Sequence, residues 1–455
     1  MQSPNHRLFI PILVAYLSIA ALYALLVPAW EAPDEPAHYN YIRQLAGFSF
    51  PVMTNDDYNQ EYQSEAISSD FDPSYSVEPF SYEDYQPPLY YLIQTPVYWL
   101  SGGSLSAMRL FGVFLGGITL SLAWLIFSHM AQVAGWGQAV PLLAVSFFAF
   151  LPQHISIQSS VNNDSLMELL VAAGLLLLIK LTPEWQAPDD DTSGAKFMLE
   201  ASTPTNRLTW WLVVVMSLAL LTKVTAYLLI LVVGIAILTV FWRDWSRIVA
   251  KGFETFTIPF LVGCLWWVRH LILYGGPDFL GIQAHDAAVV GQPTTASWIA
   301  EFGRQETLRR LIQTSFRSFW GQFGWMEVVM PQWVYTILAI FSIIVLIGFI
   351  EALFTGRWKS LSPQLTTLYL LLFSLFLLNL ALFLAYNLTF VQHQGRYLFA
   401  SLVPISLAVA IGISFFIGQN KAINHFPKFI WGYLLSAGLI GLNLLALFRF
   451  ILPAL

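Results

Sequence analysis

Charge is scarce in this chain. Of its 455 residues, 11% are Asp, Glu, Lys or Arg, where soluble proteins carry roughly 25%. So little charge excludes a water-soluble globular body, and no basic tract offers itself to nucleic acid. Cysteine is scarcer still. Cys264 is the single one, so no intramolecular disulfide can form and long polar loops must be held by packing. His38, His285 and His393 fall in polar loops but lack the close Cys or His neighbours of a zinc site. Lysine occurs seven times.

What fills the chain instead is apolar. Hydrophobic residues make up 57% of it, and the mean hydropathy is +0.63. Runs of roughly 20 apolar residues recur, each long enough to cross a bilayer as a helix, whereas barrel strands need about half that length. These runs predict an all-α polytopic membrane protein, one domain over residues 1–455, with about 11 spans and a range of about 10–13. The predicted spans are 8–28, 107–130, 138–157, 164–181, 209–222, 225–242, 253–273, 331–352, 365–386, 397–417 and 429–449. No small-residue cleavage site follows the first run, which reads as a retained helix.

Basic residues orient the spans, because Lys and Arg collect in cytoplasmic loops. With the N-terminus inside, Lys180, Lys196, Lys251, Lys359, Lys421 and Lys428 fall at inner helix ends or loops, as do Arg243, Arg247 and Arg357. Lys223 is then the lone lysine on the outer side. This predicts an integral membrane protein with a cytoplasmic N-terminus and two long outward loops, 29–106 and 274–330. In the first, the apolar stretch 88–100 is too short to span and suits a helix lying in the interface. In the second, Arg304, Arg309, Arg310 and Arg317 alternate with apolar residues, which predicts an amphipathic interfacial helix. The inner segment 183–207 reads as a flexible linker.

The densest chemistry is Trp30-Glu-Ala-Pro-Asp-Glu-Pro-Ala-His-Tyr39, directly after the first span. Pro36 suits the first turn of a helix, and the residue before a proline is pushed to extended backbone. Glu35 is therefore expected at the helix cap, with Asp34 just before it. Both would sit near unpaired backbone N–H groups that favour the ionised form. An ionised carboxylate in a partly dry site can take the proton of an attacking hydroxyl. Asp34 and Glu35 are the candidate catalytic pair, and His38 and Tyr39, one turn on, are placed to bind substrate. Asp164 and Glu168 are four apart and share a helix face at the outer end of a span, where ionisable residues are rare.

Further blocks recur at outer helix ends: Gln86-Pro-Pro-Leu-Tyr-Tyr91, Arg109-Leu110, Asn162-Asn-Asp164, Thr222-Lys223, Phe319-Trp-Gly-Gln-Phe-Gly-Trp325 and Gln394-Gly-Arg-Tyr397. Together with Pro33-Asp-Glu-Pro-Ala-His-Tyr39 they resemble the GT-C glycosyltransferases, which include protein O-mannosyltransferases and lipid A aminoarabinose transferases. The set is most similar to a bacterial group of predicted membrane proteins with a Pro-Asp-Glu-Pro-Ala-His-Phe/Tyr signature. The resemblance covers about residues 30 to 400 and implies a GT-C-like fold. It also implies transfer of a sugar from a polyprenyl-phosphate carrier to a glycan, lipid or protein acceptor on the outer face.

On that resemblance Asp34 is the base and Asp164 a second acid shaping the site. Lys223 and Arg396 are suited to the carrier phosphate, with Arg109 and Arg317 as helpers, and Tyr397 adjoins them. Trp320, in the aromatic block, is placed to stack on a sugar or line an isoprenoid groove. No cofactor is required; a divalent metal through Asp34, Glu35 and Asp164 is an option that nothing demands. The rival readings are a transporter or flippase of lipid-linked sugars and a non-catalytic polysaccharide-assembly subunit. Clustering of charge at outer helix ends, with no visible repeat, favours the enzyme.

Overall fold

The computed structural model describes residues 5–186, 204–355, 362–419 and 427–455. Most of the linker expected over 183–207 lies outside these residues, as do Lys196, Arg357, Lys359 and Lys421.

The chain is almost entirely helical. Helix α1 (Ile10–Leu26) has Pro11 in its first turn and stops just short of Pro28. Three short helices follow, α2 (Glu35–Ala46), α3 (Gln60–Ser68) and α4 (Leu89–Ser101). The chain then runs through α5 (Leu105–Val133), α6 (Ala139–Phe150), α7 (Pro152–Gln158), α8 (Asp164–Gln186), α9 (Pro204–Leu220), α10 (Leu228–Val240) and α11 (Trp245–Tyr274). The second long loop holds α12 (Ile282–Ala288), α13 (Thr295–Phe302) and α14 (Arg304–Trp320), then a two-stranded hairpin, β1 (Gln322–Phe323) with β2 (Val328–Val329). Helices α15 (Gln332–Phe354), α16 (Pro363–Thr389), α17 (Leu402–Gln419) and α18 (Ile430–Leu445) complete the bundle.

Among the described residues, eight helices are long and apolar enough to cross a bilayer. A ninth is formed if α6 and α7 count as one span bent by 59°. The bend falls at Leu151, held extended (ψ 117°) by Pro152 after it. The spans expected at 209–222 and 225–242 correspond to the shorter apolar helices α9 and α10, which fall outside this count, so the figure of about 11 is not confirmed. Helix α9 ends before the extended Lys223 (φ −164°, ψ 145°), and the Thr222 hydroxyl satisfies the Leu218 carbonyl (2.8 Å) at that end. Helix α10 then runs alongside α8, so that Phe241 reaches Trp185 at the far end (ring centroids 6.0 Å).

Helices α11, α15 and α16 expose Leu265, Ile272, Ile337, Ile343 and Phe373 along their outer faces. Lipid is the environment that accepts such faces without cost. Helices α15 and α17 cross closely where Gly348 meets Gly412; a Cβ on Gly412 would lie 2.2 Å from the Val345 carbonyl oxygen. Small residues let membrane helices approach this way. Alternating helix directions gather the start of α2, α5, α8, α10 and α17 and the end of α1, α9, α11 and α16 at one end of the bundle. The two long loops close over that end. Helix α4 shows Leu92, Trp99 and Leu100 on its open face, while α14 shows Leu308 and Ile312.

Candidate active site

The local sequence Pro33-Asp34-Glu35-Pro36 sends its two carboxylates in opposite directions. Asp34 precedes the first residue of α2 in a left-handed conformation (φ 69°) that Asp tolerates better than most residues. Its side chain makes no capping bond. Glu35 does not cap the helix either. It is fully buried, and Arg109 grips it through Nε at 2.8 Å and Nη2 at 2.6 Å. The backbone N–H groups of Trp30 (3.2 Å) and Val161 (3.0 Å) also donate to it. Arg109 gives its other protons to the carbonyls of Val27 (2.6 Å) and Pro28 (2.8 Å), satisfying acceptors at the end of α1.

This pair therefore fastens α1, α2 and α5 together behind the site. Contrary to expectation, Glu35 does not cap α2, and neither it nor Arg109 lines the cavity lined by Asp34. A buried guanidinium needs a complete set of partners, and these two groups use each other up.

Asp34 faces the other way. Its Oδ2 accepts from Arg396 Nη2 at 2.5 Å and its Oδ1 from the Tyr82 hydroxyl at 3.1 Å. About a quarter of its side chain stays open, 24%. Burial alone would raise its proton affinity. The charge of Arg396, with the hydrogen bonds from Arg396 and Tyr82, outweighs burial and holds Asp34 below the usual carboxylate range. Arg396 is held in place by its neighbour. Gly395 donates its N–H to Ser318 Oγ (2.7 Å), and a Cβ there would lie 2.3 Å from the Ser315 carbonyl oxygen. Glycine is what lets this segment lie against α14.

A second ion pair lies nearby. Asp164 is the first residue of α8, and Lys223 Nζ donates to its Oδ1 at 2.6 Å. Asn162 Oδ1 accepts the Asp164 N–H (2.9 Å), which leaves the Asp164 carboxylate for Lys223. His38 feels all four charges. Burial pushes it down to about 3, with Lys223 and Arg396 adding to this against Asp34 and Asp164. The imidazole is therefore neutral, with Nδ1 2.9 Å from the Tyr91 hydroxyl.

Asp34, His38, Asp164, Lys223, Arg396 and Tyr397 all line one cavity of about 540 Å³. From the long loops it is lined by Tyr58, Tyr82, Glu83, Gln86, His285 and Gln292, with Ile67 and Ile282 among them. From the bundle it is lined by Met167, Asn379, Leu382, Phe383 and Ala400. Four expected residues lie elsewhere, besides Glu35. Tyr39 donates to the Gly103 carbonyl (2.9 Å), and Arg109 is in its lock. Arg317 donates to Gln332 (2.8 Å) and lies over the Tyr335 ring. Trp320 is buried between Phe147 and Phe341, because its position on α14 turns it into the bundle.

The aromatic block instead contributes Trp325, which lines the cavity and anchors to the Trp30 carbonyl (2.9 Å). Tyr82 and Glu83 were not legible in the sequence. They sit in a Tyr- and acid-rich stretch where no spacing singles them out. That stretch also carries Asp70-Phe71-Asp72. Asp72 faces outward, where its carboxylate accepts from Ser74. Among the described residues, no three His, Cys, Asp or Glu side chains are placed to hold a metal ion. The arrangement of Asp34, Glu35 and Asp164 around a metal is not formed, since Glu35 points away.

Residues 76–405 match the family described as "Predicted membrane protein (DUF2142)". The chain belongs to that family. The matched range of this DUF2142 protein holds Glu83, Asp164, Lys223 and Arg396; the Asp34 segment precedes it. No curated protein sequence matches it. Its fold is similar to that of solved GT-C glycosyltransferases. ArnT from Cupriavidus metallidurans, bound to undecaprenyl phosphate, is similar with a TM-score of 0.50 at 14% identity, over 98% of this chain and 73% of ArnT. The oligosaccharyltransferase AglB from Archaeoglobus fulgidus, in complex with an inhibitory peptide and a dolichol-phosphate, gives 0.50 at 13% identity. That match covers 96% of this chain but 54% of AglB, so the DUF2142 chain spans about half of the archaeal enzyme.

Proposed function

We propose that this protein transfers a sugar from a polyprenyl-phosphate carrier to an acceptor hydroxyl in this cavity. The observation that carries the reading is the convergence of Asp34, Asp164, Lys223 and Arg396 on one space lined by both polar and apolar side chains. The carrier phosphate takes Lys223 and Arg396, which now rest on carboxylates, so one anion replaces another. Arg grips phosphate oxygens in two-pronged fashion, and Lys acts as a point charge. Asp34 accepts the proton of the acceptor hydroxyl as its oxygen attacks the anomeric carbon. The bond from that carbon to the carrier oxygen breaks, and the electron pair leaves with the phosphate, where the two cations stabilise it. A single displacement inverts the anomeric centre. Neutral His38 and Asp164 position the acceptor, and Met167, Leu382 and Phe383 suit the start of the carrier chain.

Two similarly folded proteins are described with undecaprenyl phosphate and with dolichol-phosphate, which supports a lipid carrier here. The lysine distribution supports a cytoplasmic N-terminus, and with it an outward-facing cavity and action at the outer face of a bacterial cytoplasmic membrane.

The test is transfer by the purified protein in liposomes, with a panel of undecaprenyl-phosphate sugars as donors and a membrane extract as acceptor. Asp34→Asn should lose about a hundredfold or more, the weight of a general base, while donor binding persists. Transfer by Asp34→Asn at the wild-type rate removes Asp34 as base. If the wild type cleaves no donor but equilibrates lipid-linked sugar across the vesicle, the transporter reading replaces this one.

A further inference from the structure

We propose that Glu83 is a second working carboxyl of this cavity, one that holds the acceptor by a hydrogen bond beside Asp34. The inference rests on the transfer reading above and names a residue that neither the motifs nor the relatives point to.

Glu83 is displayed by a turn that is fixed on both sides. The Ser81 N–H donates to the Asp57 carbonyl (3.1 Å), and Gln44 donates to Asp84 Oδ2 (2.8 Å). The Tyr41 hydroxyl donates to the Gln86 carbonyl (3.1 Å), and the Leu89 N–H reaches the Leu221 carbonyl (2.8 Å). While Asp84 turns back onto α2, Tyr82, Glu83, Tyr85 and Gln86 line the cavity. Tyr82 is the residue that holds Asp34, so Glu83 is one step along the chain from a direct partner of the base.

The Glu83 Oε2 atom is buried and has no hydrogen-bond partner in the protein. Gln86, Gln292, Gln394 and Arg396, which line the same cavity, also leave buried polar atoms without a protein partner, so polar groups here are open to a ligand. The charged and titratable groups facing Glu83 come from several elements. They are Asp34 before α2, Lys223 between α9 and α10, His285 on α12, and the tyrosines 82, 85, 91 and 386. Burial first, then the negative charge of Asp34, lift the Glu83 proton affinity to about 7. Near neutral pH the group can therefore carry a proton and donate it in a hydrogen bond, while ionised Asp34 accepts. Two carboxyls in unlike protonation states are the means by which one site binds a hydroxyl and deprotonates it. The ligand is assigned as acceptor because Glu83 lies on the long loop with Tyr58 and next to Tyr82, the partner of the base, whereas the apolar side chains suited to a carrier, Met167, Leu382 and Phe383, come from α8 and α16.

The test compares wild type, Glu83→Gln, Glu83→Ala and Asp34→Asn in the liposome assay, between pH 6 and 9, with acceptor extract varied at saturating donor. Wild-type transfer should fall as pH rises through about 7, by about tenfold per unit beyond it, as the proton on Glu83 is lost. Glu83→Gln keeps a neutral donor in the same place. It should stay within about threefold of wild type at pH 6.5 and lose the alkaline fall. Glu83→Ala should lose about tenfold or more, chiefly in the apparent KM for acceptor and not for donor. A structural role would not remove the alkaline limb in the Gln variant. The inference is overturned if Glu83→Ala transfers like wild type, if Glu83→Gln is as slow as Glu83→Ala, or if its pH profile still falls. If Asp34→Asn is dead while both Glu83 variants behave as wild type, only this inference falls. If wild type cleaves none of the donors, the transfer reading fails and takes this one with it.

Discussion

Replacing Glu35 by Gln strips the charge that holds Arg109 while leaving Asp34 in the cavity. It therefore separates the two acids of one motif. The Glu35 carboxylate receives four hydrogen bonds, two from Arg109 at 2.8 and 2.6 Å and two from backbone N–H groups at 3.2 and 3.0 Å. Gln keeps an oxygen for part of this set but presents an amide to a guanidinium that is itself almost fully buried. Breaking one side of such a pair typically costs about 3–5 kcal/mol, because the remaining charge has nowhere to go. Arg109 keeps the carbonyls of Val27 and Pro28, which argues for the lower end, about 3 kcal/mol.

The assay is equilibrium unfolding in mixed micelles, followed by tryptophan fluorescence. The variants are Glu35→Gln, Arg109→Met and the double variant. Each single change should shift the midpoint strongly. The double should recover about 1–3 kcal/mol of the summed loss, since neither charge is left alone. Transfer by the Glu35→Gln protein that remains folded should stay within about tenfold of wild type, unlike the loss in Asp34→Asn. An unchanged unfolding midpoint with abolished transfer refutes the reasoning and returns Glu35 to the chemistry.

Two other predictions probe how the site is held. Gly395→Ala should abolish most transfer and raise the donor KM, because the new Cβ meets the Ser315 oxygen and the Phe319 nitrogen at 2.3 and 2.5 Å, backbone atoms that cannot yield, and Arg396 must move. A harmless Gly→Ala change usually stabilises by about 0.4–1 kcal/mol, so thermal unfolding and transfer measured together decide the case. Glu31 is buried, and burial followed by the charges of Asp70 and Glu327 raises it to about 7 from 4.5. Between those values the native state keeps a proton that the unfolded chain has released, so this contribution is present at low pH and lost as pH rises through about 7. Wild type should then melt at a lower temperature at pH 8 than at pH 5.5, and Glu31→Gln should narrow the gap; an unchanged gap counts against the assignment.

Much of this architecture was written in hydropathy, because lipid demands long apolar helices and sequence shows length and polarity directly. At 209–222 and 225–242 the same signal marks two apolar stretches, and the turn at Thr222-Lys223 is what divides them into α9 and α10. The site divides along a similar line. Asp34, Asp164, Lys223 and Arg396 announced themselves because charge at a helix end in a charge-poor chain needs a reason. Arg109 satisfied that rule equally, and so did Glu35, yet their reason is each other.

Sequence gives the presence of a charge and not its direction. Here direction is set by one residue of backbone. With φ at +69°, Asp34 turns towards Arg396 and Tyr82 while Glu35, next in the chain, turns beneath the helix to Arg109. A left-handed non-glycine residue costs of order 1 kcal/mol or more and persists where its surroundings fix it. Pro33 and Pro36 restrict the backbone on either side, and the buried Glu35–Arg109 pair anchors the first turn of α2. The lock behind the site is thus what holds the strained residue in front of it. That accounts for two adjacent acids with unrelated partners, in a motif where composition alone made them look like equals.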